Sequence, residues 1–292
     1  MPVLKHEHTA KKLAKLLERG YGQGEGRKYK PFLDVIRTHS KGRVSRIKGW
    51  KSGGRVHHFL TDSETRYFYL LEYGEFEGYK ILDIREHFPL IDGMDEVMQT
   101  FDEQLIKHLF NQKSGDPMVL TTSFLITLEN DDGNIIHYAR SIKDYRQLEN
   151  EKVVERFEIM NRYWSHKGIH YGITTNREIP IVPAKNIEFI HSSYHLGEYG
   201  LKEEEQVIYR DYLLKLITES QDSTIKEVVN EFDNQLKTEI GTGLLIYKHL
   251  LARKIVKINM NKPIDLGLSC SEITIVNRGE GSDAFYQYVD SI

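Results

Sequence analysis

Val119 to Lys143 reads VLTTSFLITLENDDGNIIHYARSIK, and this stretch decides how the first half of the chain is interpreted. Two runs rich in β-branched and aromatic residues, at 119–128 and 134–142, predict strands. The polar segment Glu129–Asn134 between them, ENDDGN, is typical of a hairpin turn. The stretch therefore predicts two neighbouring strands joined by a tight turn.

The elements predicted on either side of this hairpin alternate between helices and strands. The long helix follows from Val153, Phe157, Met160 and Trp164, which recur at helical spacing. The predicted helices span 8–19, 62–73 and 149–164, and the further strands span 81–85 and 171–175. This order predicts a mixed α/β domain, with a central sheet flanked by helices, over residues 1–178.

The second half changes character after Pro180-Ile-Val-Pro183, which we interpret as a domain boundary. Helices are predicted around 209–216, from Thr224 onward, where Thr224 and Glu227 fit a capping box, and over 243–254. Val256, Ile258 and Met260 then alternate with polar residues, and Asn261-Lys-Pro263 predicts a turn. Three helices and a small hairpin predict a winged helix-turn-helix domain over 179–292.

Composition limits the classes of protein to consider. The chain has 292 residues, a formal net charge of −3 and a single cysteine, Cys270. One cysteine excludes a disulfide framework within the chain and favours a reducing compartment. No apolar run approaches the ~20 residues that span a bilayer, and the N-terminus is too polar for a signal peptide. We expect a cytoplasmic protein without membrane contact.

One stretch, from Gly26 to Leu60, is strongly basic although the whole chain is not. Its cations are Arg27, Lys28, Lys30, Arg37, Lys41, Arg43, Arg46, Lys48, Lys51 and Arg55, against the single acid Asp34. Such a local excess is typical of contact with a phosphate backbone, and a solvated basic surface is the alternative. The candidate DNA-binding residues are Arg27, Lys28, Arg43, Arg46, Lys51, Arg55, His57 and His58. The two histidines fit a structural role equally well.

A possible catalytic constellation consists of Glu64 on the predicted helix and Ser141-Ile-Lys143 on a predicted strand. Many nucleases hold one or two Mg²⁺ ions with a helix carboxylate and a strand Asp, beside a polar-x-Lys pair. Residues two apart share one face of a strand, so Ser141 and Lys143 are expected to lie together. The alternatives are that Glu64 completes a capping box with Thr61 and that Lys143 is a solvated charge.

Several motifs together resemble the TnsA family. They are Gly22-Gln-Gly-Glu-Gly26, Arg55-Val-His-His58, Asp62-Ser-Glu64, Leu82-Asp-Ile-Arg-Glu-His-Phe-Pro-Leu90, and Lys143 followed by Arg162-Tyr-Trp164. TnsA proteins are the endonuclease subunits of cut-and-paste transposons that also encode TnsB, a DDE-type transposase, and TnsC, an ATPase. The resemblance covers about Gly20 to Thr175, and its most specific block is 82–90.

The resemblance implies a restriction-endonuclease-like domain that cuts the 5′ ends of the element, with a C-terminal domain that contacts TnsC. It implies a Mg²⁺ or Mn²⁺ cofactor, with Glu64 as the helix carboxylate and Lys143 as the catalytic lysine. Two positions depart from the family pattern. Ser123 stands where the metal-binding Asp belongs, and Ser141 stands where the family has Gln.

A serine hydroxyl is a poor substitute for a carboxylate on a hard cation. A catalytically degenerate subunit that bridges TnsB, TnsC and DNA is therefore the alternative function. A free-standing winged-helix regulator is less favoured. The predicted third helix carries only Lys248, Arg253 and Lys254 as cations.

Overall fold

The computed structural model describes residues 10–38, 40, 42–74, 78–111 and 113–276. The start of the first predicted helix at 8–9, Lys41 of the basic stretch and residues 277–292 lie outside the described residues. Contacts divide the chain into one compact unit that ends at Ile179 and another that begins at Pro180. Of the helices described, none is long and apolar enough to cross a membrane.

The first unit is built on a mixed four-stranded sheet, as predicted. Its helices are α1 (Ala10–Glu18), α2 (Asp62–Tyr73), α3 (Met94–Met98), α4 (Glu103–Ile106) and α5 (Glu151–His166). Its strands are β1 (Ser45–Lys48), β2 (Val56–Phe59), β3 (Tyr79–Pro89), β4 (Thr121–Asn130), β5 (Ile135–Lys143) and β6 (His170–Thr175). The sheet order is β3-β4-β5-β6, and β1 and β2 form a separate hairpin. Strands β3, β4 and β5 are antiparallel, whereas β6 runs parallel to β5.

The predicted β4–β5 hairpin is confirmed, and β3 is longer than predicted. The turn closes through hydrogen bonds from Gly133 N to Asn130 O and from Asn130 N to Asn134 O. Strand β3 continues past Arg85 to Pro89, through Glu86 and His87. Consecutive polar residues do not show the apolar–polar alternation by which a strand is recognised. Their burial depends on partners that are distant in the sequence.

Helix α5 packs on the sheet and positions the end of β4. Phe157, Met160 and Trp164 of α5 are buried in one core with Leu125 of β4 and Ala139 of β5. The Trp164 indole N–H donates to Thr122 Oγ1 at 2.8 Å, so the largest core side chain also has its polar atom paired. This packing fixes the end of β4 on which Ser123 lies.

The second unit is mainly helical. It contains α6 (Ile181–His191), α7 (Glu203–Glu219), α8 (Ile225–Leu236), α9 (Thr242–Ala252) and the two-residue strands β7 (Val256–Lys257) and β8 (Thr274–Ile275). Helix α6 begins directly after Pro180, where the sequence predicted only a boundary. The predicted capping box is present, since Thr224 Oγ1 accepts from Glu227 N and Glu227 Oε2 accepts from Thr224 N.

The predicted hairpin with a turn at Asn261–Pro263 is replaced by a different pairing. Strand β7 pairs with β8, so that Val256 lies opposite Ile275. The segment 258–273 connects the two strands, and it does not form the predicted hairpin. The Asn186 side chain of α6 holds that segment. Its amide nitrogen donates to the carbonyls of Met260 and Lys262, and its oxygen accepts from Ile264 N. A single buried amide was not visible as a sequence pattern.

Candidate active site at the end of the sheet

Glu64 lies in the first turn of α2, where the start of the helix sets its position. Thr61 is the N-cap, and its hydroxyl accepts from Glu64 N at 3.2 Å. Glu64 Oε2 accepts from Leu60 N at 3.1 Å, so this oxygen stabilises the entry to the helix. The side chain is 7% exposed. One carboxylate oxygen therefore serves the helix start, and Oε1 faces the end of the sheet.

Ser123 of β4 meets that second oxygen. Its hydroxyl donates to Glu64 Oε1 at 3.3 Å and accepts from Ile142 N of β5 at 3.0 Å. The last pair of the β4–β5 ladder is Phe124 with Arg140, so Ser123 lies just beyond the regular pairing. The structure thus brings Ser123 and Glu64 into contact, although they are 59 positions apart in sequence.

Lys143 ends β5, opposite Thr175 of β6, and it is half-buried. Burial lowers the pKa of its ammonium group, the Glu64 carboxylate acts in the opposite direction, and Arg156 adds to the lowering. A lysine with a depressed pKa beside a buried carboxylate is typical of functional sites. Lys143 is therefore in the electrostatic environment of Glu64.

Ser141 is in a different environment, although it lies two residues from Lys143. It is buried, accepts from Tyr171 OH at 2.9 Å and donates to Met160 Sδ at 3.4 Å. These contacts belong to the core between the sheet and α5. The structure therefore groups Glu64, Ser123 and Lys143, and it holds Ser141 in the packing behind them.

His87 is a member of this group that the sequence argument did not single out. It is 3% exposed, and its Nδ1 lies 4.0 Å from Glu64 Oε1. Its φ of +49° places a non-glycine residue in the left-handed region within a strand. The signal available in the sequence was its position inside the block 82–90, between Glu86 and Phe88.

The neighbouring Glu86 organises a separate buried cluster. Its two oxygens accept from Arg55 Nη1 and Nη2, each at 2.8 Å, and Oε2 lies 2.9 Å from His57 Nδ1. Burial would raise the pKa of Glu86, but His57 and Arg55 outweigh it and hold that pKa far below its ordinary range. Arg55 and His57 were expected at a DNA surface, whereas the structure buries both, with His57 0% exposed.

Comparison with known proteins identifies the family. Residues 79–176 match the model described as TnsA-like endonuclease N terminal, and residues 178–260 match TnsA endonuclease C terminal. The chain is 32% identical over 267 residues to the Transposon Tn7 transposition protein TnsA of Escherichia coli, covering 90% of each protein. The chain belongs to the TnsA endonuclease family. Ser123 and Lys143 lie within the N-terminal match, and Glu64 precedes it.

TnsA membership implies a divalent cation, and the donor atoms can be tested for it. Across the part of the chain that the structure describes, no group of three His, Cys, Asp or Glu residues could hold a metal ion. The candidate site offers the Glu64 carboxylate, the His87 imidazole and the Ser123 hydroxyl, with the Lys143 ammonium nearby. One carboxylate is a weak donor set for Mg²⁺, which prefers oxygen ligands. A carboxylate with an imidazole fits a transition-metal cation better.

The remaining basic residues of this TnsA-family chain lie around the β1–β2 hairpin. Arg27, Lys28, Arg43 and Arg46 are exposed, and Arg46 lies opposite His58 in the hairpin. Lys51 instead donates to the carbonyl oxygens of Leu71 and Gly74. His58 is half-buried and its pKa is lowered, chiefly by that burial. The four exposed arginine and lysine side chains are therefore the ones whose environment is most compatible with a DNA surface.

Proposed function

We propose that this chain is the subunit of a Tn7-type transposase that hydrolyses DNA phosphodiesters at the 5′ ends of the element. The observation that carries the proposal is the contact between Glu64 and Ser123 at the end of the sheet where Lys143, whose pKa the Glu64 carboxylate influences, ends β5. Two of these residues stand where the family resemblance implies catalytic groups. The first unit would then be a restriction-endonuclease-like domain and the second a winged helix-turn-helix.

The chemistry expected of these residues follows from their charges and burial. When bound, a divalent cation supplies Lewis-acid stabilisation of the charge on the scissile phosphate. Lys143 would donate to a phosphate oxygen and stabilise the negative charge that develops there in the transition state. The Glu64 carboxylate would hold the cation through Oε1, because Oε2 is committed to Leu60 N. The burial of Glu64 and the partial burial of Lys143 strengthen these electrostatic interactions by excluding water.

DNA and protein partners are assigned from the surface residues of the two units. Arg27, Lys28, Arg43 and Arg46 would lead the transposon end across the β1–β2 hairpin, with Lys51 and His58 beside it. The second unit would contact a TnsC-like ATPase. Its support is the exposure of the apolar residues Val207 and Ile208 on α7 and of Ile240 before α9. We place the assembly in the bacterial cytoplasm, on DNA.

The test is strand-specific cleavage of transposon-end DNA by the chain together with its TnsB-like and TnsC-like partners, in Mg²⁺ or Mn²⁺. We expect cuts at the 5′ ends, reduced about 10²-fold or more by Lys143→Ala. Lys152→Ala is the matched control, because Lys152 is an exposed lysine of α5. In the same assay, Arg46→Ala tests the proposed DNA surface, and omission of the ATPase tests the proposed partner. Undiminished cutting by Lys143→Ala would show that the site is elsewhere.

A second function is favoured by one observation, the serine at position 123. A subunit without its second carboxylate would retain the fold, the basic hairpin and the partner contacts, and would bridge TnsB, TnsC and DNA without cutting. In the same assay, this non-cutting function predicts that only 3′-end cuts appear and that the complexes form intact. It also predicts the same outcome for Lys143→Ala as for the parent chain. Recovery of 5′ cuts with Ser123→Asp would trace the defect to the missing carboxylate.

A further inference from the structure

The residue that distinguishes this site is His87, which lies level with Ser123 in the sheet. The pairs on either side are Glu86 with Phe124 and Phe88 with Thr122, so the register brings His87 and Ser123 to the same level, where the pairing of β3 with β4 is interrupted. The family resemblance implies a metal-binding carboxylate at the position of Ser123. The His87 imidazole lies close to the position at which that carboxylate is expected.

The backbone at His87 is held in an uncommon conformation. Among the described residues, three that are not glycine have positive φ: His87, Lys237 and Lys254. Lys237 is the C-cap of α8, and Lys254 follows the end of α9, where left-handed residues are common. His87 is within a strand, where this conformation is not required to end an element. Backbone strain of this kind concentrates at functional sites.

Neither ring nitrogen of His87 is used by the fold. Nε2 is buried and has no hydrogen-bond partner in the described residues, and Nδ1 is 4.0 Å from Glu64 Oε1, beyond hydrogen-bond distance. The nearby His57 also has an unpaired Nε2, but its Nδ1 contacts Glu86 at 2.9 Å. Buried polar groups are nearly always paired, so an imidazole that makes no hydrogen bond and whose Nδ1 faces a carboxylate is a candidate ligand for a cation.

We propose that Glu64 and His87 together hold a first-row transition-metal dication, and that this site prefers such an ion to Mg²⁺. Two ligands of one such ion, each bonded at about 2.1 Å, are separated by roughly 3 to 4 Å. The separation of 4.0 Å between Nδ1 and Oε1 is at the upper end of that range. Imidazole nitrogen suits transition metals, whereas Mg²⁺ requires an octahedron of oxygens.

This inference rests on the proposed nuclease function and adds the identity of the second ligand. The Ser123 hydroxyl, 3.3 Å from Glu64 Oε1, lies beside the ion without contributing charge. With only two strong protein ligands, most of the coordination positions remain for water and for phosphate oxygens of DNA. The site therefore carries less negative charge than a site with two carboxylates.

The test is Mn²⁺ binding to the purified full chain, followed by electron paramagnetic resonance and competed with Mg²⁺. We expect the parent to bind Mn²⁺ at least about tenfold more tightly than Mg²⁺, and His87→Gln to lose about tenfold in Mn²⁺ affinity with little change for Mg²⁺. His137→Gln is the matched control. His137 belongs to the same sheet and bonds Thr127 through Nδ1, outside the site.

A second measurement makes the result independent of whether His87→Gln folds. Electron spin echo modulation of Mn²⁺ bound to the parent detects a directly coordinated ¹⁴N nucleus, and we expect that signal. Mn²⁺ binding that requires Glu64, shows no nitrogen coupling and survives His87→Gln would overturn the inference and leave the nuclease proposal standing. Failure of the parent to bind Mn²⁺ would also overturn it. Lysine-dependent 5′ cutting in Mg²⁺ would then decide the nuclease proposal separately.

Discussion

Glu86 and His87 are consecutive residues of β3, yet they belong to two buried polar clusters of different kinds. The Glu86 carboxylate contacts Arg55 through both oxygens at 2.8 Å and His57 at 2.9 Å. The Glu64 carboxylate, in the cluster around His87, accepts from a backbone N–H and a serine hydroxyl. The nearest imidazole nitrogen that could carry charge is 4.0 Å away.

The difference separates a cluster that serves the fold from one that is arranged for a ligand. Around Glu86 the charges neutralise one another, and the pKa of the acid is held low by its own protein partners. Around Glu64 a half-buried lysine has a lowered pKa, and His87, unlike His57, makes no hydrogen bond through either ring nitrogen. Groups with perturbed pKa values and without hydrogen-bond partners concentrate at ligand sites.

Glu86→Gln is expected to have the largest effect on stability. The substitution keeps the shape of the side chain but leaves the Arg55 guanidinium buried without a counter-charge. Breaking a buried ion pair in this way costs about 3–5 kcal/mol of unfolding free energy. Urea denaturation of the parent and the variant measures it.

Glu64→Gln is the matched comparison, because it makes the same chemical change in the other cluster. Its amide oxygen can keep only one of the two hydrogen bonds that the carboxylate accepts, so we expect a loss of about 1 kcal/mol. An equal loss for the two variants would show that Glu64, like Glu86, is part of the structural framework.

The comparison also explains which parts of the fold were predictable. The β4–β5 hairpin and α2 follow from local patterns, namely β-branched runs around a polar turn and an N-cap threonine. The hairpin β1–β2 was missed because its basic residues suggested a surface, while Gly49 and Ser52 at its turn are buried. At Gly49 any Cβ would approach His57 Nε2 to 2.6 Å, a constraint that exists only in the folded chain.

The candidate site was predictable only in part. Glu64 and Lys143 were identified from spacing and family resemblance, since each occupies a defined place on a helix or a strand. His87 could not be identified in that way, because its significance depends on the residue opposite it in the sheet. Arg55 and His57 have the composition of a DNA surface, and only the buried partner Glu86, about 30 residues further along the chain, assigns them to the interior.

Ser123→Asp is expected to have an intermediate effect, and its sign should depend on metal. The new carboxylate would lie near Glu64 Oε1, which is now 3.3 Å from the serine hydroxyl. Without a cation the two like charges raise the pKa of one acid and reduce stability at neutral pH by roughly 1–2 kcal/mol. Added Mn²⁺ should more than restore it, because binding to the folded state alone is stabilising.

Thermal unfolding of the Ser123→Asp variant in chelator and in Mn²⁺ measures both effects. Ser123→Asn is the control, since it has nearly the same shape but no charge. A Ser123→Asp variant that is as stable as the parent in chelator and insensitive to Mn²⁺ would mean that position 123 does not share a site with Glu64.

Lys143→Met is expected to change stability in the opposite direction, with a gain of about 1 kcal/mol at neutral pH together with loss of cutting. Burial lowers the pKa of Lys143 in the folded protein, so the unfolded chain binds the proton more tightly. The corresponding stability is present above the unfolded pKa of about 10.4 and is lost as pH falls through the folded value. At neutral pH the charged lysine is therefore a net cost, which Glu64 only partly offsets.

The gain from methionine should shrink as pH approaches about 10. Urea titrations at neutral and alkaline pH measure this trend, with exposed Lys152→Met as the control. A loss of stability at neutral pH would instead place Lys143 with Glu86, among the residues whose charges hold the fold together.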